Sequence, residues 1–155
     1  MSAHKLDSFD HAILRLLQED SGRPQREIAD RVNLSAPAVQ RRIARLEAEG
    51  VIKRTVAVVE PSAVGFPITV LVEATLTSDR SNVVAAATAF FREAEEVQQC
   101  YRVMGVAGFI LILLVPSMED YEQRTARLFA DNELVRSYRS IVVLDRVKVG
   151  LSVPT

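Results

Sequence analysis

Residues 24–50 read PQREIADRVNLSAPAVQRRIARLEAEG, and the fold turns on how this stretch breaks. Pro24 stands where a helix tolerates proline, at its start, and Ile28, Ala29 and Val32 give the next two turns one apolar side. Asn33 accepts the left-handed backbone that a tight turn needs, and Ser35 is a preferred N-cap. Pro37 then falls in the first turn of a second helix, Val39, Ile43 and Leu46 line one face of it, and Gly50 closes it. Two short helices joined by Asn33-Leu34-Ser35 give the order of a helix-turn-helix, whose second helix enters the DNA major groove.

Upstream, Asp7 and Asp10 suit the N-cap and first turn of a helix carrying Ile13, Leu14, Leu16 and Leu17, which stops near Ser21-Gly22. Downstream of Gly50 the apolar period changes to two. Residues 51–60, VIKRTVAVVE, are expected to form a strand, Pro61 and Gly65 to Pro67 a hinge, and 68–76, ITVLVEATL, a second strand. A helix at 81–94, strands at 97–104 and 108–115, a helix at 118–130 and a strand at 139–149 follow. This β-α-β-β-α-β order is that of a ferredoxin-like domain, a four-stranded antiparallel sheet with two helices on one face. The expected class is α+β, with a winged-type helix-turn-helix at 1–50, a strand-bearing hinge at 51–66 and a ferredoxin-like domain at 67–155.

The chain has 155 residues, 48% apolar and 25% charged, in the globular range. Its longest apolar run, Val103 to Val115, is shorter than the roughly 20 residues of a spanning helix and reads as a buried strand pair. One cysteine, Cys100, excludes an internal disulfide, and Met1 to Asp10 lack a basic segment leading into an apolar one. The expectation is a cytoplasmic protein with no membrane partner. Net charge is −1, so a nucleic-acid site has to be local. Residues 1–60 hold ten Lys/Arg against nine Asp/Glu, and the basic ones cluster in 41–54.

On a 100° helical wheel Val39, Ile43 and Leu46 share one side, while Arg41 lies within about 20° and Arg45 within about 55° of the opposite direction. Arg42 lies on a flank and Ala38 at the outer N-terminal end. Arginine offers a rigid fork for guanine edges or phosphates, and small residues at the helix start permit close approach. The candidate DNA contacts are Ser35, Pro37, Ala38, Gln40, Arg41, Arg42 and Arg45, with Lys53 and Arg54 reaching phosphates as a short wing. The alternative is a solvated face with pairs such as Arg42–Glu47 and Arg45–Glu49, and Lys53 and Arg54 as charges that discourage strand-edge pairing.

The chain resembles the Lrp/AsnC, or feast/famine, transcriptional regulators from Leu6 to about Val149. The resemblance rests on Leu6-Asp7 with Asp10 and Ile13-Leu14, on Leu34-Ser35, and on Arg42-Ile43 and Arg45-Leu46-Glu47 with Gly50-Val51-Ile52. Val72-Glu73, Val97-Gln98-Gln99-Cys100, Gly105, Val115-Pro116 and Val142-Val143 extend it. It implies dimers that assemble into tetramers, octamers or larger rings, and small-molecule effectors, usually amino acids, at subunit interfaces. Carried over residue by residue, the effector walls are Met104, Gly105, Val106, Ala107, Gly108 and Phe109, with Met118, Ile141 and Val142. In amino-acid-binding relatives the loop reads Gly-Asp-x-Asp before an aromatic. Here Val106 and Gly108 replace both acids, so an ammonium would be buried without a charged partner. A standard amino acid is therefore a doubtful effector, and the loop also reads simply as a β-turn. An oligomer has a physical basis too: Val70, Val72, Ile110, Ile112 and Leu114 cannot all face the two helices, so part of the sheet needs another cover.

The residues give no support for catalysis. His4 and His11 both lie near the N-terminus, and Cys100 has no histidine in 61–155 to activate it, so it reads as a small strand hydrophobe. No metal spacing, phosphate loop or dinucleotide glycine pattern occurs, so no cofactor is expected. Glu93, Glu95 and Glu96 read as a solvated run. Two function classes remain: a DNA-binding regulator, and a small-molecule-sensing or metabolic protein whose N-terminal helices mediate protein contact.

Overall fold

The computed structural model describes residues 5–105 and 108–155, which divide into two compact units, one from residues up to 57 with 148–155 and the other from residues between 58 and 147. In the first, α1 (Ser8–Glu19), α2 (Gln25–Val32) and α3 (Ala36–Ala48) pack Ile13, Ile28, Ala29, Val32 and Val39 into one small core. Local chemistry sets the boundaries. Asp7 caps α1, Asn33 ends α2 at φ 54°, and the Ser35 hydroxyl accepts the Ala38 N–H at the start of α3. Gly50 at φ 72° turns the chain so that the Val51 and Ile52 N–H groups reach the Leu46 carbonyl.

One expectation fails beside this core. Residues 51–60 belong to no strand, although their alternation is strand-like. A strand needs a ladder partner, and Val58 is 96% exposed with no neighbour to pair it among the described residues. The tail 148–155 groups by its contacts with the first unit. There the Gln18 side chain pairs with the Val153 backbone in both directions (3.1 and 2.7 Å), and the Arg15 guanidinium donates to the Thr155 carbonyl (2.8 Å).

In the second unit a short 3-10 turn, Pro61–Val64, leads into β1 (Ile68–Leu76), α4 (Ser81–Glu93), β2 (Val97–Arg102), β3 (Phe109–Val115), α5 (Met118–Thr125) and β4 (Val135–Val142). One wide turn, Ala126–Ala130, extends α5. The sheet order is β2-β3-β1-β4, all antiparallel, which is the ferredoxin-like arrangement. Strand alternation divides the side chains. Val70, Val72 and Ala74 of β1, with Phe109, Leu111 and Leu113 of β3, are buried with Ala87, Phe91, Leu128 and Phe129. The alternate residues Leu71, Ile110, Ile112 and Leu114 stay only half-buried, so this chain leaves one apolar sheet face open.

β4 begins and ends earlier than the expected 139–149. Asn132 folds a turn whose carbonyl takes the Val135 N–H (2.8 Å), which starts the ladder early. At the far end Val143 donates to Thr69 (3.0 Å), and beyond it Pro67 of the neighbouring segment has no N–H to give. Glu96 is also not solvated: its side chain is buried against Arg124 (3.8 Å) and Arg127. Cys100, read as a small strand hydrophobe, does lie on a strand, the edge strand β2, but is exposed there.

Phe91 holds the second core together, edge-on to Phe109 at 5.4 Å and beside Phe129 at 5.9 Å. Phe91→Ala is expected to cost about 4 kcal/mol of stability, read as a lower urea midpoint at unchanged slope.

Candidate functional site

The charged end of α3 is built against α1. Asp7 and Asp10 form a reciprocal cap: the Asp10 N–H donates to Asp7 Oδ1 (2.8 Å) and the Asp7 N–H to Asp10 Oδ2 (3.1 Å). The same carboxylates grip the neighbouring helix. Arg42 Nη1 lies 2.8 Å from both Asp7 Oδ2 and Asp10 Oδ1, and Arg45 Nη2 lies 2.6 Å from Asp10 Oδ2. The Arg42 guanidinium also stands 5.3 Å from the centre of the Phe9 ring. Asp10 is 1% exposed, Arg42 25% and Arg45 45%. Burial works against the Asp10 charge, but the Asp7 N–H and the two guanidinium groups outweigh it and hold its pKa below the ordinary carboxylate value. The same carboxylates, Asp10 first and Asp7 second, raise the Arg42 pKa.

Of the three α3 arginines read as facing DNA, only Arg41 is exposed without an ion pair among the described residues. Arg45 keeps half its surface but is tied to Asp10, with Glu49 at 3.9 Å. Leu34, Ala38, Arg41, Arg42 and Arg45 line a shallow groove along this face. Ser35 spends its hydroxyl on the helix cap, Pro37 and Gln40 are exposed, and Lys53 and Arg54 lie exposed on the extended segment after Gly50. The expected Arg42–Glu47 pair gives way to Asp7 and Asp10. Sequence reading took both acids only as α1 capping residues. The signal was available, because Asp7/Asp10 and Arg42/Arg45 share an i, i+3 spacing that stacks each pair on one helix face.

The residues carried over as effector walls fall into two groups at opposite ends of the sheet. Met104, Gly105 and Gly108 lie at the β2–β3 turn, where the Gly108 N–H bonds to Ala74 (3.0 Å). Val106 and Ala107 lie outside the described residues. Phe109 is removed from any surface wall, since its ring sits in the core against Phe91. Met118, Ile141 and Val142 are exposed at the other end, where Val142 pairs with Val70. Four residues of β1 separate Val70 from Ala74, about 13 Å at strand rise.

Residues 6–53 match a family model for winged helix-turn-helix DNA-binding, and residues 69–153 match the Lrp/AsnC ligand binding domain. The chain belongs to the Lrp/AsnC family. It is 40% identical to an uncharacterized HTH-type transcriptional regulator of Sinorhizobium fredii, over 98% of this chain and 90% of that one. Among solved structures, the AsnC family transcriptional regulator from Agrobacterium tumefaciens superposes with a TM-score of 0.90 at 32% identity, over 96% and 97% of the two chains. The feast or famine regulatory protein of Mycobacterium tuberculosis, solved with L-methionine, gives 0.88 at 30%, over 97% and 100%. In this Lrp/AsnC chain the ligand-binding domain is the ferredoxin-like unit, and the DNA-binding domain is the three-helix unit whose charged face Asp10 organises.

Asp10→Ala should cost about 3 kcal/mol at neutral pH, since it strands a half-buried arginine pair and removes half of the helix cap. Because the folded-state pKa of Asp10 is depressed, its contribution is complete above the ordinary aspartate value of 3.8 and is lost as pH falls through the folded value. Acid titrations of melting temperature are expected to show a shallower fall below pH about 4 in the variant than in the wild type.

Proposed function

We propose that this Lrp/AsnC regulator binds double-stranded DNA by laying α3 in the major groove, with Arg41 as its principal unpaired contact, and that it does so as a homodimer or larger ring. The observation that carries the reading is the outer face of α3: an exposed arginine, a small residue at the helix start, and two further arginines fixed beside it. A single three-helix head on a chain of net charge −1 makes few phosphate contacts, and two-fold pairing doubles them. The half-buried apolar sheet face supplies a surface for that pairing. We assign DNA binding to residues 1–50, a connecting role to 51–66 and effector binding and assembly to 67–155. No catalytic, metal or cofactor role is assigned, and a cytoplasmic location accords with a DNA-binding role. Among the described residues no helix is long and apolar enough to cross a membrane.

The effector reading follows from the two-ended distribution of its residues. Groups about 13 Å apart on one sheet close on a small ligand only when different copies contribute them, which favours a site between subunits. The M. tuberculosis relative was solved with L-methionine. In this chain Val106 and Gly108 leave the loop without a carboxylate for an ammonium group, and the effector proposed is less polar than a standard amino acid, or is not one.

Anisotropy titration of the full chain against its own upstream DNA tests the first reading. Arg41→Ala is expected to melt as the wild type does while weakening binding by about 1 to 3 kcal/mol if Arg41 reads a base, or lowering the salt slope by about 1 if it holds a phosphate. Unchanged binding would exclude α3 as the reader. Light scattering is expected to give a dimer at minimum, and millimolar standard amino acids should alter neither that size nor the melting temperature. A ligand at 100 times its Kd adds about 2.7 kcal/mol, a shift of several degrees, so a shift of that size with any of them refutes the effector assignment.

A further inference from the structure

On the α3 face three guanidinium groups, Arg41, Arg42 and Arg45, stand where DNA would lie, and α1 sets two carboxylates against two of them. Non-specific attraction to DNA grows with the number of cations free to displace counterions from phosphates. By that measure the face is largely self-neutralised: of these three cations, Arg41 alone has no ion pair among the described residues. Helix stability alone does not require this. Asp10 already fulfils its capping role through the Asp7 N–H, yet both its oxygens also engage α3, one on each arginine. Arg45 remains 45% exposed although Asp10 is 1% exposed, so the bond fixes the inner edge of a side chain whose remainder is open to solvent. A guanidinium held in this way has lost the freedom to swing onto any nearby phosphate, and a fork of fixed direction is what base-edge recognition needs.

We infer that Asp10 is a positioning residue for DNA recognition: by holding Arg45, and Arg42 beside it, this buried carboxylate weakens binding to arbitrary DNA and sharpens preference for a particular sequence. The inference rests on the DNA-binding reading given above. It makes a prediction of opposite signs. Asp10→Asn frees Arg45 while Asp7 still holds Arg42, which leaves one more cation free to pair with phosphates, so non-specific affinity rises while sequence preference falls. A residue that only stabilised the fold would weaken both together.

The experiment uses the full-length chain, a duplex enriched from a randomised pool by the wild type, and a scrambled duplex of the same composition, titrated by anisotropy at several salt concentrations. For Asp10→Asn, tighter binding to the scrambled duplex is expected, with the slope of log affinity against log salt steeper by about 1 and the preference for the enriched duplex down about tenfold. In an Arg45→Ala background, Asp10→Asn should produce no further loss of preference, since the two act through one contact. Circular dichroism monitors folding. Should Asp10→Asn fail to fold, Arg45→Lys carries the test: it keeps the charge and removes the fork, and is expected to lower preference while leaving scrambled-duplex affinity unchanged. Parallel weakening on both duplexes, unchanged preference, or additive losses in the double variant would overturn the inference. Enrichment of no duplex at all would instead overturn the DNA-binding reading beneath it.

Discussion

The buried carboxylate of Asp10 joins three tasks that would otherwise need separate groups. It satisfies a backbone N–H left over at the start of α1, it pins α3 to α1 through two arginines, and it thereby sets which charges the outer face of α3 presents. An isolated carboxylate so enclosed would be expelled or protonated, because desolvating a charge costs several kcal/mol. Here three hydrogen-bond donors, the Asp7 N–H and the Arg42 and Arg45 guanidinium groups, compensate it. The small three-helix core, with only five buried apolar residues in its cluster, relies on this polar contact more than the larger sheet unit would.

The fold was legible where local chemistry dictates it. Asn33, Ser35 and Gly50 mark boundaries because each answers a backbone requirement that few other residues meet, and the helices end where those residues stand. The ferredoxin-like order was readable for a similar reason, since alternation in β1 and β3 and helical spacing in α4 are properties of single segments. The failures all involve partners. Residues 51–60 have the pattern of a strand but no ladder within one chain, and β4 shifts by several residues because a turn at Asn132 and the proline before β1 set its register. Pattern reports which face of a segment is apolar; it is silent on what that face meets.

The candidate sites divide along the same line. The α3 face was found from its wheel, yet the wheel assigned Arg45 to DNA without seeing Asp10, because an ion pair across 35 residues leaves no trace in local periodicity. The effector residues came from resemblance, and the structure spreads them over both ends of one sheet and draws Phe109 into the core. Phe109 is better understood as the anchor of the β2–β3 turn: its burial against Phe91 fixes the strand whose preceding loop carries the altered residues Val106 and Gly108.

The tail that returns to α1 is held by hydrogen bonds from Arg15 and Gln18 that lie open to water. Such bonds contribute about 1 kcal/mol each, so the same eight residues offered as a loose peptide would hardly stay. What keeps them in place is covalent connection through β4, which maintains the tail at an effective concentration in the millimolar range. The docking is therefore a property of chain connectivity more than of surface complementarity: a nick anywhere between β4 and Lys148 would turn an intramolecular association into a bimolecular one, and dilution alone would then clear the side of α1.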